Sequence, residues 1–253
     1  MGTDPGVLRH WGLAFGASLL VLLPATTAMG ATLPAIERLG LLLAPRQRAV
    51  AGLYAANTAG AMIGALGATF VLLPALGLGR TVLAFAALNF LIAAIAWVAV
   101  ARHEPRDVAQ IEYSSQRERA PSARLLTLLF MTGLLGIGYE VLVVRVLGQV
   151  LEGTVYSFAA VLTVYLAGTA LGAALYQRWQ DRHAQPAAWG DTTSLILHGT
   201  ALCCALGVAC LWLTADVYQW VFDLLGPGSA TGLTAELAVA SAVFLLPTLG
   251  MGA

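Results

Sequence analysis

Few residues in this sequence are equipped for chemistry, and Glu140 is foremost among them. It sits past the middle of an apolar run from about Arg124 to Leu151. In hydrocarbon a carboxylate is costly and normally faces a bundle interior or a wet cavity. Gly133 and Gly136 share its helical face, which predicts a packed neighbour there. Two roles follow for such a group. It carries a proton or balances a cationic substrate, or it is a structural partner for an Arg or a backbone group. Arg145 lies five positions on, about 140° around a helix, so the two do not pair within one helix. Each then needs a partner elsewhere, or Arg145 snorkels to the outer interface.

The stretch Arg48–Arg80 holds the next candidates, Tyr54 and Asn57. It is apolar for longer than the ~20 residues a helix needs to cross a bilayer. Asn57, Gly60, Gly64 and Gly67 fall on one side at about 100° per residue. That pattern predicts tight helix packing, with Asn57 and Tyr54 facing either a neighbour or a substrate path. Tyr165 shares a side with Gly168 and Gly172 and reads as core packing or as a phenol lining a cavity. Glu236 lies near the outer start of its segment, where exposure to headgroups is expected. Glu37 and Arg38 end the first segment as a topology anchor or a gating pair. Pro24 and Pro247 are expected to kink their helices. His198, Cys203, Cys204 and Cys210 share one apolar segment, but their spacing matches no usual metal-ligand pattern, and small buried hydrophobes fit them better. No metal or cofactor is expected.

The elements that position these residues follow from composition. Of 253 residues, 59% are apolar and 10% charged, against about 25% charged in ordinary soluble domains. Mean hydropathy is +0.81. The expected fold is all-α, a polytopic membrane helix bundle of about seven transmembrane helices. The segments run near Gly12–Ala35, Ala49–Leu73, Thr81–Ala101, Arg124–Leu151, Val155–Tyr176, Ser194–Thr214 and Thr231–Ala253. Net charge is zero, so no basic surface argues for nucleic acid. No cleavable signal peptide is evident at the N-terminus.

Arginine placement sets the direction of each crossing. One set of alternate loops holds Arg38, Arg46, Arg48, Arg102, Arg106, Arg117, Arg119, Arg124, Arg178 and Arg182. The opposite side holds Arg9, Arg80 and Arg145. By the positive-inside rule the N-terminus lies outside and the C-terminus inside. Residues 102–123 mix both signs of charge without a hydrophobic face and read as a cytoplasmic linker. It separates 1–101, with three helices, from 124–253, with four.

An internal repeat is present. Leu22-Leu23-Pro24 precedes Met29-Gly30-Ala31, and Leu245-Leu246-Pro247 precedes Met251-Gly252-Ala253, with one residue fewer between. Both fall in segments that run outside to inside. The expectation is a repeated six-helix unit, a common way of building transporters. On that count the chain starts at the fourth helix of one unit and stops inside the fourth helix of the next, as a fragment would.

Several stretches resemble the membrane part of the fused spermidine-synthase-like proteins of bacteria. Gly52-Leu53-Tyr54-Ala55-Ala56-Asn57-Thr58-Ala59-Gly60-Ala61, reached from Arg48 and closed by Leu73-Pro74-Ala75-Leu76-Gly77, is one. The others are Leu23-Pro24 to Met29-Gly30-Ala31-Thr32-Leu33-Pro34, Gly138-Tyr139-Glu140-Val141 with Arg145, and Tyr156-Ser157-Phe158-Ala159 running into Leu166-Ala167-Gly168-Thr169-Ala170-Leu171-Gly172. In that family a domain similar to the major facilitator fold precedes a soluble aminopropyltransferase-like domain. The resemblance implies a bacterial cytoplasmic membrane location, that soluble domain as partner, and a polyamine or other small cation as ligand. The glycine-rich loop and acidic residues of the soluble domain are not found here, since the Gly-rich runs lie in membrane helices. No catalytic residue can therefore be transferred to this chain. A proton-coupled transporter unrelated to polyamine synthesis and a structural membrane anchor are the competing readings.

Overall fold

The computed structural model describes residues 6–43, 50–101, 123–151, 153–182, 189–226 and 228–253. Among them every regular element is helical: α1 Val7–Leu43, α2 Val50–Leu66, α3 Leu73–Ala101, α4 Ala123–Val150, α5 Val155–Arg182, α6 Trp189–Cys210, α7 Thr214–Leu225 and α8 Ser229–Gly252. The fold is the all-α bundle expected. Six described stretches are long and apolar enough to cross a membrane, so the chain is a multi-pass membrane protein by length and apolarity. One of them, Ala51–Val98, has 48 residues. At 1.5 Å per residue it is about twice as long as one crossing requires. It breaks at Gly77, whose φ of 73° is a conformation that suits glycine. The second and third segments therefore meet where Pro74 and Gly77 place the boundary.

The centre of the molecule is the pair α5 and α8. They run parallel, since Ser157, Gly168 and Gly172 of α5 lie against Glu236, Thr248 and Leu249 of α8 in that order. Glycine makes the approach possible. A Cβ at Gly168 would lie 2.8 Å from Thr248 Cβ, and one at Gly172 would lie 2.9 Å from the Leu249 carbonyl carbon. The contact is reciprocal, because a Cβ at Gly252 of α8 would lie 2.9 Å from the Thr169 carbonyl carbon. Between lipid-embedded helices there is no hydrophobic driving force, and such close packing replaces it.

The other helices are laid on this pair. α2 runs antiparallel to α5, with Tyr54 near Tyr165 and Phe70 against Tyr156, ring centroids 5.3 Å apart. α6 runs antiparallel to α8, with Thr200 at Gly250 and Gly207 at Val243 and Pro247. α4 adds Tyr139, Val143 and Leu147, and Leu151 just past its end, to the core around Val239, Val243 and Phe244. These directions agree with the alternating crossings that the arginines imply. α1 is exposed along its described side chains, as a lipid-facing helix would be.

Between α2 and α3 lies a π-helical stretch, Gly67–Leu72. Pro74 has no N–H, so the carbonyl of Phe70 loses its donor four residues on. The ladder before it slips by one, and the Leu73 N–H bonds to the Ala68 carbonyl instead.

Several expectations need correction. The stripe of Asn57, Gly60, Gly64 and Gly67 does not pack. Asn57 and Gly60 are exposed, and a Cβ on any of the three glycines meets nothing within 4 Å among the described residues. α2 instead buries the opposite stripe, Ala55 and Thr58 with Tyr54 beside them, against α5. Gly133 and Gly136 likewise lack a close neighbour among the described residues. The connection after the sixth segment contains a helix, α7. Its Thr214, Val217, Tyr218 and Val221 form one inward stripe, with Asp216, Gln219 and Asp223 on the exposed side. α1 extends well past the Gly12–Ala35 segment and continues through both Pro24 and Pro34. The linker lies outside the described residues apart from Ala123.

The two glycine stripes should respond oppositely to substitution. Gly168→Leu or Gly172→Val should lower stability by at least about 1–3 kcal/mol, because overpacking here pushes on backbone. Gly64→Ala should change it by less than about 0.5 kcal/mol. Thermal unfolding in detergent micelles checks both.

Candidate functional site

Three helices converge on one polar cluster inside the bundle. Glu140 comes from α4, Tyr165 from α5 and Tyr54 from α2. All three are half-buried. The Tyr165 hydroxyl lies within hydrogen-bonding and electrostatic reach of the Glu140 carboxyl group, and Tyr54 lies within electrostatic reach of the same phenol. Glu140 reaches inward because α4 buries the stripe of Tyr139, Val143 and Leu147, and Glu140 stands at its edge. Tyr165 reaches it because Gly168, one turn on, locks α5 onto α8. Glu140 thus comes within reach of α5 through Tyr165, whereas Gly133 and Gly136, from which a packed neighbour was expected, meet nothing among the described residues.

The cluster combines one carboxyl group with two phenols. The carboxyl supplies negative charge, the hydroxyls supply donors and acceptors, and the rings present electron-rich faces. Such a group of side chains can receive an organic ammonium.

Behind the cluster stands an aromatic wall. Tyr165 meets Phe244 edge to face, with centroids 5.8 Å apart and planes at 87°. Phe244 in turn meets Tyr139 at 6.0 Å and 88°. Perpendicular ring contacts of this kind add attraction beyond simple burial. Tyr139 and Phe244 were not singled out from sequence. Nothing in spacing marks Phe244, which is one apolar residue in an apolar helix.

The remaining candidates are dispersed. Asn57 is exposed, about 60° around α2 from Tyr54 and turned away from the buried Ala55 and Thr58. Arg145 is exposed on the far side of α4 from Glu140, as its angular offset requires. It borders an apolar groove with Leu134, Ile137, Gly138, Val141, Leu142 and Val146. The side chains of Glu37 and Arg38 lie outside the described residues. Pro24 is exposed, whereas Pro247 is fully buried. His198 donates from Nδ1 to the Ser194 carbonyl at 2.7 Å. Cys204 and Cys210 pack on the apolar core. Among the described residues no His, Cys, Asp and Glu are grouped to hold a metal ion.

Glu236 departs most from expectation. It is 3% exposed, not displayed to headgroups. The parallel pairing of α5 and α8 sets it opposite Ser157, whose Oγ donates to Glu236 Oε1 at 2.5 Å. Thr154 completes the arrangement. Its Oγ1 accepts the Ser157 N–H at 3.1 Å, which caps the start of α5. Because the single Ser157 hydroxyl proton goes to Glu236, the Thr154 hydroxyl donates to Ser157 Oγ across 2.9 Å. Thr154 followed by Ser157 is a helix-start signal readable from sequence; its link to Glu236, 79 residues away, is not.

No protein-family model, no curated protein and no solved structure matches this chain.

Removing the Ser157 hydroxyl should weaken the outer end of the α5–α8 pair. Ser157→Ala is expected to cost roughly 1–2 kcal/mol, the upper range for a hydrogen bond between membrane helices, because a carboxyl group loses a buried partner. Chemical unfolding of the purified protein in micelles, with Ser194→Ala as the control, measures it.

Proposed function

We propose that this chain is a membrane-embedded module that holds a small organic cation at Glu140, between Tyr54 and Tyr165. The convergence of these three side chains from α2, α4 and α5 carries the proposal. A carboxyl group in a membrane helix marks a substrate or ion path by default. Two phenols beside it suit an alkylammonium better than a metal ion, which would need a fuller set of oxygen ligands. The motif resemblance to spermidine-synthase-like membrane domains supports a polyamine as that cation. It also assigns the protein to the bacterial cytoplasmic membrane and implies a soluble aminopropyltransferase-like partner domain. The repeated Leu-Leu-Pro and Met-Gly-Ala elements support a major-facilitator-like, six-helix repeat as its architecture.

Spermidine binding to the protein in lipid nanodiscs tests the site. Glu140→Gln should reduce affinity by roughly tenfold or more, equivalent to about 1.4 kcal/mol. Tyr54→Phe should have a smaller effect, and Arg145→Gln and Asn57→Ala should have none. Undiminished binding by a folded Glu140→Gln variant would leave Glu140 as a structural partner of Tyr165 and nothing more.

A further inference from the structure

Tyr139 and Glu140 are adjacent in sequence but engage different helices. Tyr139 is buried, and its hydroxyl donates to the Val243 carbonyl of α8 at 2.9 Å. That carbonyl is special. It stands four residues before Pro247, which has no N–H to give it, so the ladder of α8 has a gap there. An unsatisfied carbonyl in a membrane interior costs several kcal/mol. Tyr139 supplies the missing donor from another helix. Room for it comes from Gly207 on α6, where a Cβ would lie 2.7 Å from the Val243 oxygen and would fall on the Tyr139 hydroxyl. Pro247 is in the same contact, its Cγ 3.2 Å from that position.

This joint is connected to the candidate site by two routes. One is covalent, through the peptide from Tyr139 to Glu140. The other runs through ring contacts, Tyr139 to Phe244 and Phe244 to Tyr165. Tyr165 closes the circuit, because its hydroxyl lies within hydrogen-bonding reach of Glu140. Glu140 and Tyr165 are thus both held from the carbonyl that Pro247 leaves open.

We infer that Tyr139 is a positioning residue for the Glu140–Tyr165 pair, acting through the Pro247 gap in α8. Its hydroxyl fixes the rotation of α4 against α8 and so the distance between the carboxyl group and the phenol. The geometry stands by itself; its consequence for ligand affinity rests on the cation reading of Glu140.

The test is a cycle in two backgrounds. The protein is labelled with 3-fluorotyrosine in nanodiscs, and the Tyr165 resonance is identified by its loss in Tyr165→Phe. Glu140→Gln marks where that resonance moves when the group facing it is changed. Tyr139→Phe should move it in the same direction in the native background. In a Pro247→Ala background the helix donates its own N–H to Val243, so Tyr139→Phe should move the resonance little. Equal displacement in both backgrounds, or none in either, overturns the inference. Should Tyr139→Phe alone give no folded protein, recovery of folded protein by adding Pro247→Ala supports the inference, and failure to recover overturns it. Spermidine titration of the same proteins separates the two proposals. Tyr139→Phe should weaken binding by about threefold, the worth of one hydrogen bond between membrane helices, and by less with Pro247→Ala. Absence of binding by the unaltered protein defeats the cation reading while the resonance cycle still decides the role of Tyr139.

Discussion

Backbone-to-backbone contact between α5 and α8 is the constraint on which everything else depends. Gly168 and Gly172 on one helix and Gly252 on the other remove the side chains that would hold the helices apart. In a bilayer, burying leucine against leucine is no better than leaving it in lipid. Close approach gains dispersion contacts that lipid tails cannot match. Because the contact is made at several glycines in register, it sets both the distance and the axial alignment of the two helices.

That alignment determines the polar chemistry of the interior. With α5 and α8 parallel and in this register, Ser157 falls opposite Glu236, and Tyr165 falls beside Phe244. A shift of one residue along α5 would turn Tyr165 by about 100° and withdraw it from Glu140. The carboxyl groups of this interior are therefore not held by arginines along their own helices. They are met by hydroxyl groups from α5, one at the start of its packed face and one at its middle.

Prolines show how differently one local defect can be absorbed. Each removes a donor from its helix. At Pro74 the backbone repairs itself by slipping into π-helical bonding. At Pro247 the repair comes from a side chain on another helix. At Pro24 the helix is exposed, and the Thr26 hydroxyl bonds to the Leu22 and Leu23 carbonyls, not to the Leu20 carbonyl that Pro24 leaves open. A repeat that places proline at corresponding points of α1 and α8 thus leads to unlike surroundings, because only α8 lies inside the described bundle.

The sequence alone determined the helical class, the membrane setting, the segment boundaries near Gly77 and Pro74, and the alternation of directions. Each depends on local properties: apolar length, the absent N–H of proline, the φ freedom of glycine and the placement of arginine. It also singled out Glu140, Tyr54 and Tyr165 one by one, since a polar group in an apolar run is conspicuous. Only the tertiary structure decided which small-residue stripe was an interface. Gly168 with Gly172 and Gly60 with Gly64 look alike in sequence, yet the first pair touches α8 and the second touches nothing described. The difference lies in what stands opposite, and that is a property of a distant segment. For the same reason the depth of Glu236 does not follow from its nearness to a helix end, nor the packing of Asn57 from the glycine stripe it shares. Depth along a helix can be counted from sequence, but the direction a face looks is settled by the helix that covers it.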